Sequence, residues 1–343
     1  MPRQFREDPY VMIKAGIAGL GRWGQVLVNS VHGKSDKIKF TAGCTGRKDR
    51  AKDFCAEKGI DLRDGLADLL TDPTLDAVVL ATPHSQHADQ VIAAAAAKKH
   101  IFVEKPFTLD KASAAAAAEA ARHAGVVLAL GHNRRFHPAM VRLKEMVAGG
   151  ELGQILHVEG NLSSPSAMRF TADGWRAQAE ESPAGGMTAM GIHVVDAMIH
   201  LMGGIARVSA QSRRQFLKIP VDDTTSMLFT FDSGATGYLG TLTATATIWR
   251  VQVFGTDGWA EMHNYDKLIV RKRPADNSAG KEEVFTIPPF DMERAELEAF
   301  ADACTGGPAF LVTPDQAVHG TAVLEAIVRS AGKDGQPVHL KEI

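Results

Sequence analysis

Apolar residues along this chain change their period near residue 131. Before that point they gather in short solid runs, each followed by a stretch with helical spacing. The runs Val11–Ala18, Ile38–Cys44, Asp76–Ala81, Ile101–Val103 and Val126–Leu130 predict strands. The stretches Gln25–His32, Ala88–Lys98 and Leu109–His123 predict helices between them. Solid apolar runs suit parallel strands buried on both faces. The strand–helix alternation predicts an α/β domain built on a doubly wound parallel sheet over residues 10–131.

After Leu130 the polar stretch Gly131-His132-Asn133-Arg134-Arg135-Phe136-His137-Pro138 marks a crossing into a second domain, residues 132–343. A helix, Ala139–Ala148, begins after proline and is closed by Gly149-Gly150. From Gln154 the pattern alternates or is rich in β-formers: Ile155–Leu162, Val208–Leu217, Thr224–Phe231, Ala235–Thr243 and Thr247–Phe254. Turn residues fall at Asp232-Ser233-Gly234 and Gly255-Thr256-Asp257-Gly258. The expectation is an α+β domain with a large, mostly antiparallel open sheet. Such a half-exposed sheet needs covering, which points to a homodimer or homotetramer through its open face.

Composition narrows the class. The 343 residues are about two domains' worth, and 45% hydrophobic with 23% charged content is that of an ordinary globular chain. A formal net charge of −2 gives no electrostatic case for nucleic acid or an anionic membrane. Cys44, Cys55 and Cys304 have no metal-site or disulfide spacing, so reduced thiols in a cytoplasmic protein are expected. Met1–Tyr10 is polar with no apolar core of a signal peptide, and no run approaches a membrane span.

The candidate chemistry begins at Gly19-Leu20-Gly21-Arg22-Trp23-Gly24, with a strand before it and a helix after. That context reads as a dinucleotide site. Gly19 permits the turn, Gly21 admits a pyrophosphate, and Gly24 lets helix and strand pack closely. Arg22 and Trp23 lie within the same turn. At the end of the second strand an NAD-selective unit carries an acid for the ribose. Here the chain reads Thr45-Gly46-Arg47-Lys48, which fits a 2′-phosphate on Arg47 and makes NADP the first choice. Asp49 keeps NAD open, and a solvent-exposed cap on the next helix is the competing reading of Arg47 and Lys48. The third strand ends in Thr82-Pro83-His84-Ser85-Gln86-His87, where a cofactor contact is expected. No third ligand accompanies the two histidines, so no metal is assigned.

Two further stretches complete the set. Ile101–Val103 runs into Glu104-Lys105-Pro106, which would present a lysine at a strand end. Downstream, Trp175-Arg176 precedes a glycine stretch, Gly185-Gly186, read as flexible, and an apolar helix carrying His193, Asp196 and His200. A histidine satisfied by Asp196 one turn away is the plain reading of that helix, and a metal on the three is possible by spacing.

These residues together resemble the Gfo/Idh/MocA oxidoreductases, a family named for glucose–fructose oxidoreductase, inositol dehydrogenase and a rhizopine-catabolism protein. The resemblance runs through Gly19–Gly24, Thr82-Pro83 with His87, Glu104-Lys105-Pro106, Gly131–Pro138, Trp175-Arg176, Gly185–Asp196 and the helical stretch Phe300–Ser330. It implies a Rossmann domain followed by an α/β domain with a large open sheet, in dimers or tetramers. It implies hydride transfer between nicotinamide and a sugar, polyol or related compound, with Lys105 and His193 on the two sides of the nicotinamide. Lys105 would exchange the hydroxyl proton, its pKa lowered by burial and the cationic ring, and Glu104 would orient it or meet the cofactor amide. His193 would hydrogen-bond the reacting oxygen, while Asn133, Arg134, Arg135, Trp175 and Arg176 would reach or cover the substrate. Sugar–polyol members carry an Asp four residues before the histidine. Here that position is Ala189, which shifts the proton chemistry onto Lys105. His84 stands where the family often has Asn. Two rival readings share the fold: an NAD-dependent glycoside hydrolase and a non-catalytic NADP-binding regulator.

Overall fold

The computed structural model describes residues 12–343, so Val11 and the N-terminal residues read above lie outside the described residues. The first part of the chain lays down strands β1 (Ile13–Ala18), β2 (Ile38–Cys44), β3 (Asp61–Arg63), β4 (Ala77–Leu80), β5 (His100–Val103) and β6 (Leu128–Leu130). Between them come helices α1 (Arg22–Val31), α2 (Lys52–Lys58), α3 (Leu66–Thr71), α4 (His87–Ala96) and α5 (Lys111–Ala124). All strand pairs are parallel, in the order β3-β2-β1-β4-β5-β6. The order reverses between β1 and β4, and ligands of such sheets bind at the carboxyl ends beside that reversal. The solid apolar runs explain the depth of burial: Ala77–Leu80 and Ile101–Val103 are wholly enclosed.

The second part begins with helix α6 (Pro138–Ala148) and strand β7 (Ile155–Ser163), then helix α7 (Ile192–Met202). Strands β8 (Ile205–Arg213), β9 (Thr224–Phe231), β10 (Thr236–Leu242), β11 (Ile248–Gly255), β12 (Gly258–His263), β13 (Lys267–Lys272) and β14 (Glu282–Thr286) follow. Helices α8 (Met292–Cys304) and α9 (Pro314–Ala331) and a short strand β15 (Val338–His339) end the chain. Nine strands form one sheet, β14-β13-β12-β11-β7-β10-β9-β8-β15, antiparallel except for β7 with β10. Its inward positions alternate along each strand, as Thr225, Met227, Phe229 and Phe231 do on β9. They pack under α6, α7 and the later turns of α9 around Val194, Met198, Leu239, Trp249 and Val323. Gly160 is where α7 comes closest: a Cβ there would lie 2.3 Å from Val194 Cγ1. On the opposite face Leu228 and Tyr238 are paired across β9 and β10, and remain 59% and 37% exposed.

Two expectations need correcting. The run Val208–Leu217 does not continue as a strand past Arg213. The Asp223 carboxylate accepts from the backbone N–H groups of Gln215, Phe216 and Leu217 at 2.9, 2.6 and 3.0 Å, and this folds the run into a loop. The glycine stretch before His193 is not loose. A Cβ on Gly185 would lie 2.0 Å from Asp222 O, and one on Gly186 2.4 Å from Thr243 Cγ2, so close packing demands both glycines.

Contacts divide the chain into two compact units. One comprises residues up to Thr108, Ala112–Asn133 and Asp291–Val318; the other comprises Leu109–Lys111, Arg134–Phe290 and His319–Ile343. The expected division at residue 131 differs mainly at Asp291–Val318, which packs with the parallel sheet. There Phe300 and Phe310 meet the ring of Phe102 edge-on, with centroids 5.8 and 6.4 Å away. Among the described residues no helix is long and apolar enough to cross a membrane.

Candidate active site

The phosphate turn follows directly from its glycines. Gly19 has φ +98°, and a Cβ on it would lie 2.3 Å from Ala81 O. A Cβ on Gly24 would lie 2.0 Å from Gly19 O, so α1 can seat against the turn only with glycine there. Gly21 faces open space at the N-terminus of α1, which has no side-chain cap. Uncapped N–H groups beside an open glycine are what a pyrophosphate requires. Arg22 is exposed at the first position of that helix, and Trp23 is half-buried.

At the end of β2, Thr45 is half-buried and Arg47 exposed. Lys48 is engaged in an ion pair with Asp64, which holds the Asp64 carboxyl below the usual range. Arg47 makes no such pair among the described residues, so of the two cations it is the one available to a 2′-phosphate. Burial pushes the neighbouring Cys44 thiol up to about 11, which leaves it inert.

The ends of β4 and β5 are braced together. His87 is fully buried, with Nδ1 2.9 Å from Pro106 O and Nε2 3.2 Å from Thr82 O. It therefore ties the Thr82-Pro83 turn to the Lys105-Pro106 turn. Thr82 Oγ1 meets Gln90 Oε1 at 2.6 Å, and the buried His84 ring stands edge-on to His87 at 6.0 Å. Glu104 leaves the sheet buried. Its Oε2 accepts from the Lys105 N–H at 3.3 Å. Burial pushes this carboxyl up from its ordinary range; Lys105 and the Trp23 indole oppose that, and Glu293 adds to it. Lys105 is half-buried at the open end of the strand.

Asn133 closes the first unit. It is 2% exposed, and its Nδ2 donates to Glu293 Oε1 at 2.9 Å. Sequence reasoning missed Glu293, which lies 160 residues away. The only local signal was an Asp291 N-cap with an acid in the first turn of α8.

In the second unit the Arg134 guanidinium lies 5.0 Å from the Trp249 ring centroid, and its Nε donates to Tyr265 Oη at 3.0 Å. Arg176 stacks on Trp175 at 4.1 Å. His193 is buried one residue into α7, straight after a π-helical turn, Met187–Gly191, that holds Ala189. Such turns recur at functional sites. Asp196, read above as the partner of His193, is held by Arg135. Nε donates to Oδ1 and Oδ2 at 3.2 and 3.0 Å, and Nη2 donates to Oδ1 at 2.7 Å. His200, a turn on, is pushed down to about 4, first by burial and then by Arg135.

Comparison with known proteins shows the family. A family model described as the oxidoreductase family, NAD-binding Rossmann fold, matches residues 13–132, and one for the GFO/IDH/MocA C-terminal domain matches 140–261. The chain is 31% identical to scyllo-inositol 2-dehydrogenase (NAD(+)) of Bacillus subtilis over 96% of both chains. It is also 31% identical to D-xylose 1-dehydrogenase (NADP(+)) 2 of Haloferax volcanii, over 92% of this chain and 95% of that one. The crystal structure of an oxidoreductase from Thermotoga maritima shares the fold with a TM-score of 0.85 at 23% identity, covering 97% of this chain and 99% of that one.

Proposed function

The chain belongs to the GFO/IDH/MocA oxidoreductase family, and on that premise we propose that it moves a hydride between nicotinamide and a sugar, polyol or related hydroxy or keto compound. It is an NAD(P)-dependent oxidoreductase acting on CH–OH groups. Lys105 is the proposed general acid/base, and the observation that carries this is its place. It lies half-buried two residues past the end of β5, in the same unit as the Gly19–Gly24 turn, and its turn is braced to the end of β4 through His87.

A bound nicotinamide supplies the acceptor or donor of the hydride. The protein's part is to hold the reactants and to move the proton. Gly21 and the start of α1 take the pyrophosphate, and Thr82, Pro83 and His84 line the cofactor at the end of β4. Arg47, exposed and without an ion pair among the described residues, favours a 2′-phosphate and hence NADP over NAD. As the carbinol carbon is oxidised, the Lys105 amine accepts the hydroxyl proton; in the reverse direction its ammonium returns it. His193 is the proposed hydrogen-bonding partner of the reacting oxygen. Ala189 offers no titratable side chain, which leaves the proton to Lys105. The exposed Leu228–Tyr238 pair supports association of copies through the open sheet face.

The test is a screen of sugars and polyols with both cofactors, following absorbance at the nicotinamide band. Lys105→Ala is expected to lose about 10²–10⁴-fold in kcat on the substrate found. A folded Lys105→Ala protein with full activity would refute the assignment.

A further inference from the structure

The carboxyl ends of β2 and β3 lie side by side, with Cys44 paired to Arg63. The turns that leave them are Thr45-Gly46-Arg47-Lys48 and Asp64-Gly65. Both glycines border open space: a Cβ on Gly46 or on Gly65 would meet nothing within 4 Å. Arg47, Lys48 and Arg63 bring positive charge to these ends, and two of the three are already taken. Arg63 Nη2 lies 3.0 Å from Asp61 Oδ2 and 3.3 Å from Asp72 Oδ2. Lys48 is paired with Asp64. The turn that carries Asp64 is fixed, because its own N–H and that of Gly65 both donate to Asp68 Oδ2 at 3.1 Å. The Lys48 and Asp64 side chains are 41% and 91% exposed, so their pair adds little to stability. Its consequence is for what binds beside it.

We propose that Asp64 is a specificity-determining residue for the cofactor: by engaging Lys48 it withholds a second cation from a 2′-phosphate, and so limits the preference for NADP over NAD. The inference rests on the reading above that a 2′-phosphate is held at the end of β2. Arg47 meets that phosphate with its planar set of donors. Lys48, the next residue, adds a second charge-assisted bond only by giving up Asp64. The Asp64 carboxylate beside it also repels an anion in the same opening. NAD carries no phosphate at this point and is indifferent to both effects. Asp64 follows β3 and lies 16 residues beyond Lys48, so the sequence at the end of β2 does not reveal it.

Dissociation constants for NADPH and NADH, measured on the full-length protein by nicotinamide fluorescence at one ionic strength, test this. Asp64→Asn keeps the shape of the side chain and removes its charge. It is expected to tighten NADPH about fivefold and to leave NADH within about twofold, the NADH value showing that the protein is folded. Adding Lys48→Gln to Asp64→Asn should abolish the gain. Asp53→Asn makes the same change of charge in the first turn of α2 with Lys48 still paired, and should move NADPH by less than about twofold. Unchanged or weaker NADPH binding in Asp64→Asn overturns the proposal. So does an equal gain for NADH, a gain that survives Lys48→Gln, or an equal gain in Asp53→Asn. Arg47→Ala, measured alongside, reports on the 2′-phosphate reading separately. Undiminished NADPH affinity there removes the contact assigned to Arg47, whereas a loss there with no gain in Asp64→Asn overturns only the role of Asp64.

Discussion

Asp196→Ala removes one half of a buried ion pair and leaves the other half in place. The Arg135 side chain is 1% exposed and that of Asp196 7%, so neither charge has water to fall back on. Three hydrogen bonds of 2.7–3.2 Å join them, and all are lost together. Breaking a buried pair from one side costs about 3–5 kcal/mol, because the surviving charge stays desolvated. Against a domain stability of about 5–15 kcal/mol that is a large fraction. Urea unfolding followed by tryptophan fluorescence measures it, since Trp249 is fully buried in the same unit. Replacing both partners with apolar residues, Arg135→Met with Asp196→Leu, should cost about 2 kcal/mol or less, and a double-mutant cycle isolates the difference. An Asp196→Ala protein within about 1 kcal/mol of wild type would refute the account of the pair.

Other predictions follow from single features. His200 is held down at about 4 in the folded chain against about 6.5 unfolded, so its contribution is complete above pH 6.5 and is lost as pH falls toward 4. That amounts to at most about 3 kcal/mol, and His200→Gln should flatten this part of the stability–pH curve measured by urea titration. Gly24→Ala places a Cβ 2.0 Å from Gly19 O, backbone that cannot swing aside. It should cost about 1–3 kcal/mol in stability and weaken dinucleotide binding at least about tenfold by fluorescence titration. Arg47→Ala should weaken NADPH binding about 10–100-fold and leave NADH nearly unchanged; equal effects on both would remove the case for a 2′-phosphate contact.

Much of the parallel sheet was legible because its strands are solid apolar runs ending in glycine-rich or polar turns. The reading matched β2 residue for residue and came within about a turn on α1, α4, α5 and α6. Short elements such as β3 and α3 left no periodic trace. The strands β12 to β14 were not read either: β14 is exposed along its whole length, so its residues show no in–out pattern. The site divides in the same way. Glycines and strand-end residues announce themselves through local backbone demands, as Gly19 and Gly24 do. Arg135 with Asp196 and Asn133 with Glu293 are set by packing between segments 61 and 160 residues apart, which no local pattern encodes. The glycines before His193 were misread for the same reason, since their tight neighbours, Asp222 and Thr243, come from other strands and loops.

The central claim is net hydride transfer, and an isotope tests it most directly. A substrate identified in the screen, deuterated at the carbinol carbon, is turned over with oxidised cofactor, and the cofactor is weighed by mass spectrometry. The account predicts one deuterium on the nicotinamide ring for each product formed, with the hydroxyl proton released to solvent. Turnover with no deuterium left on the cofactor, as transient oxidation during glycoside cleavage would give, contradicts it.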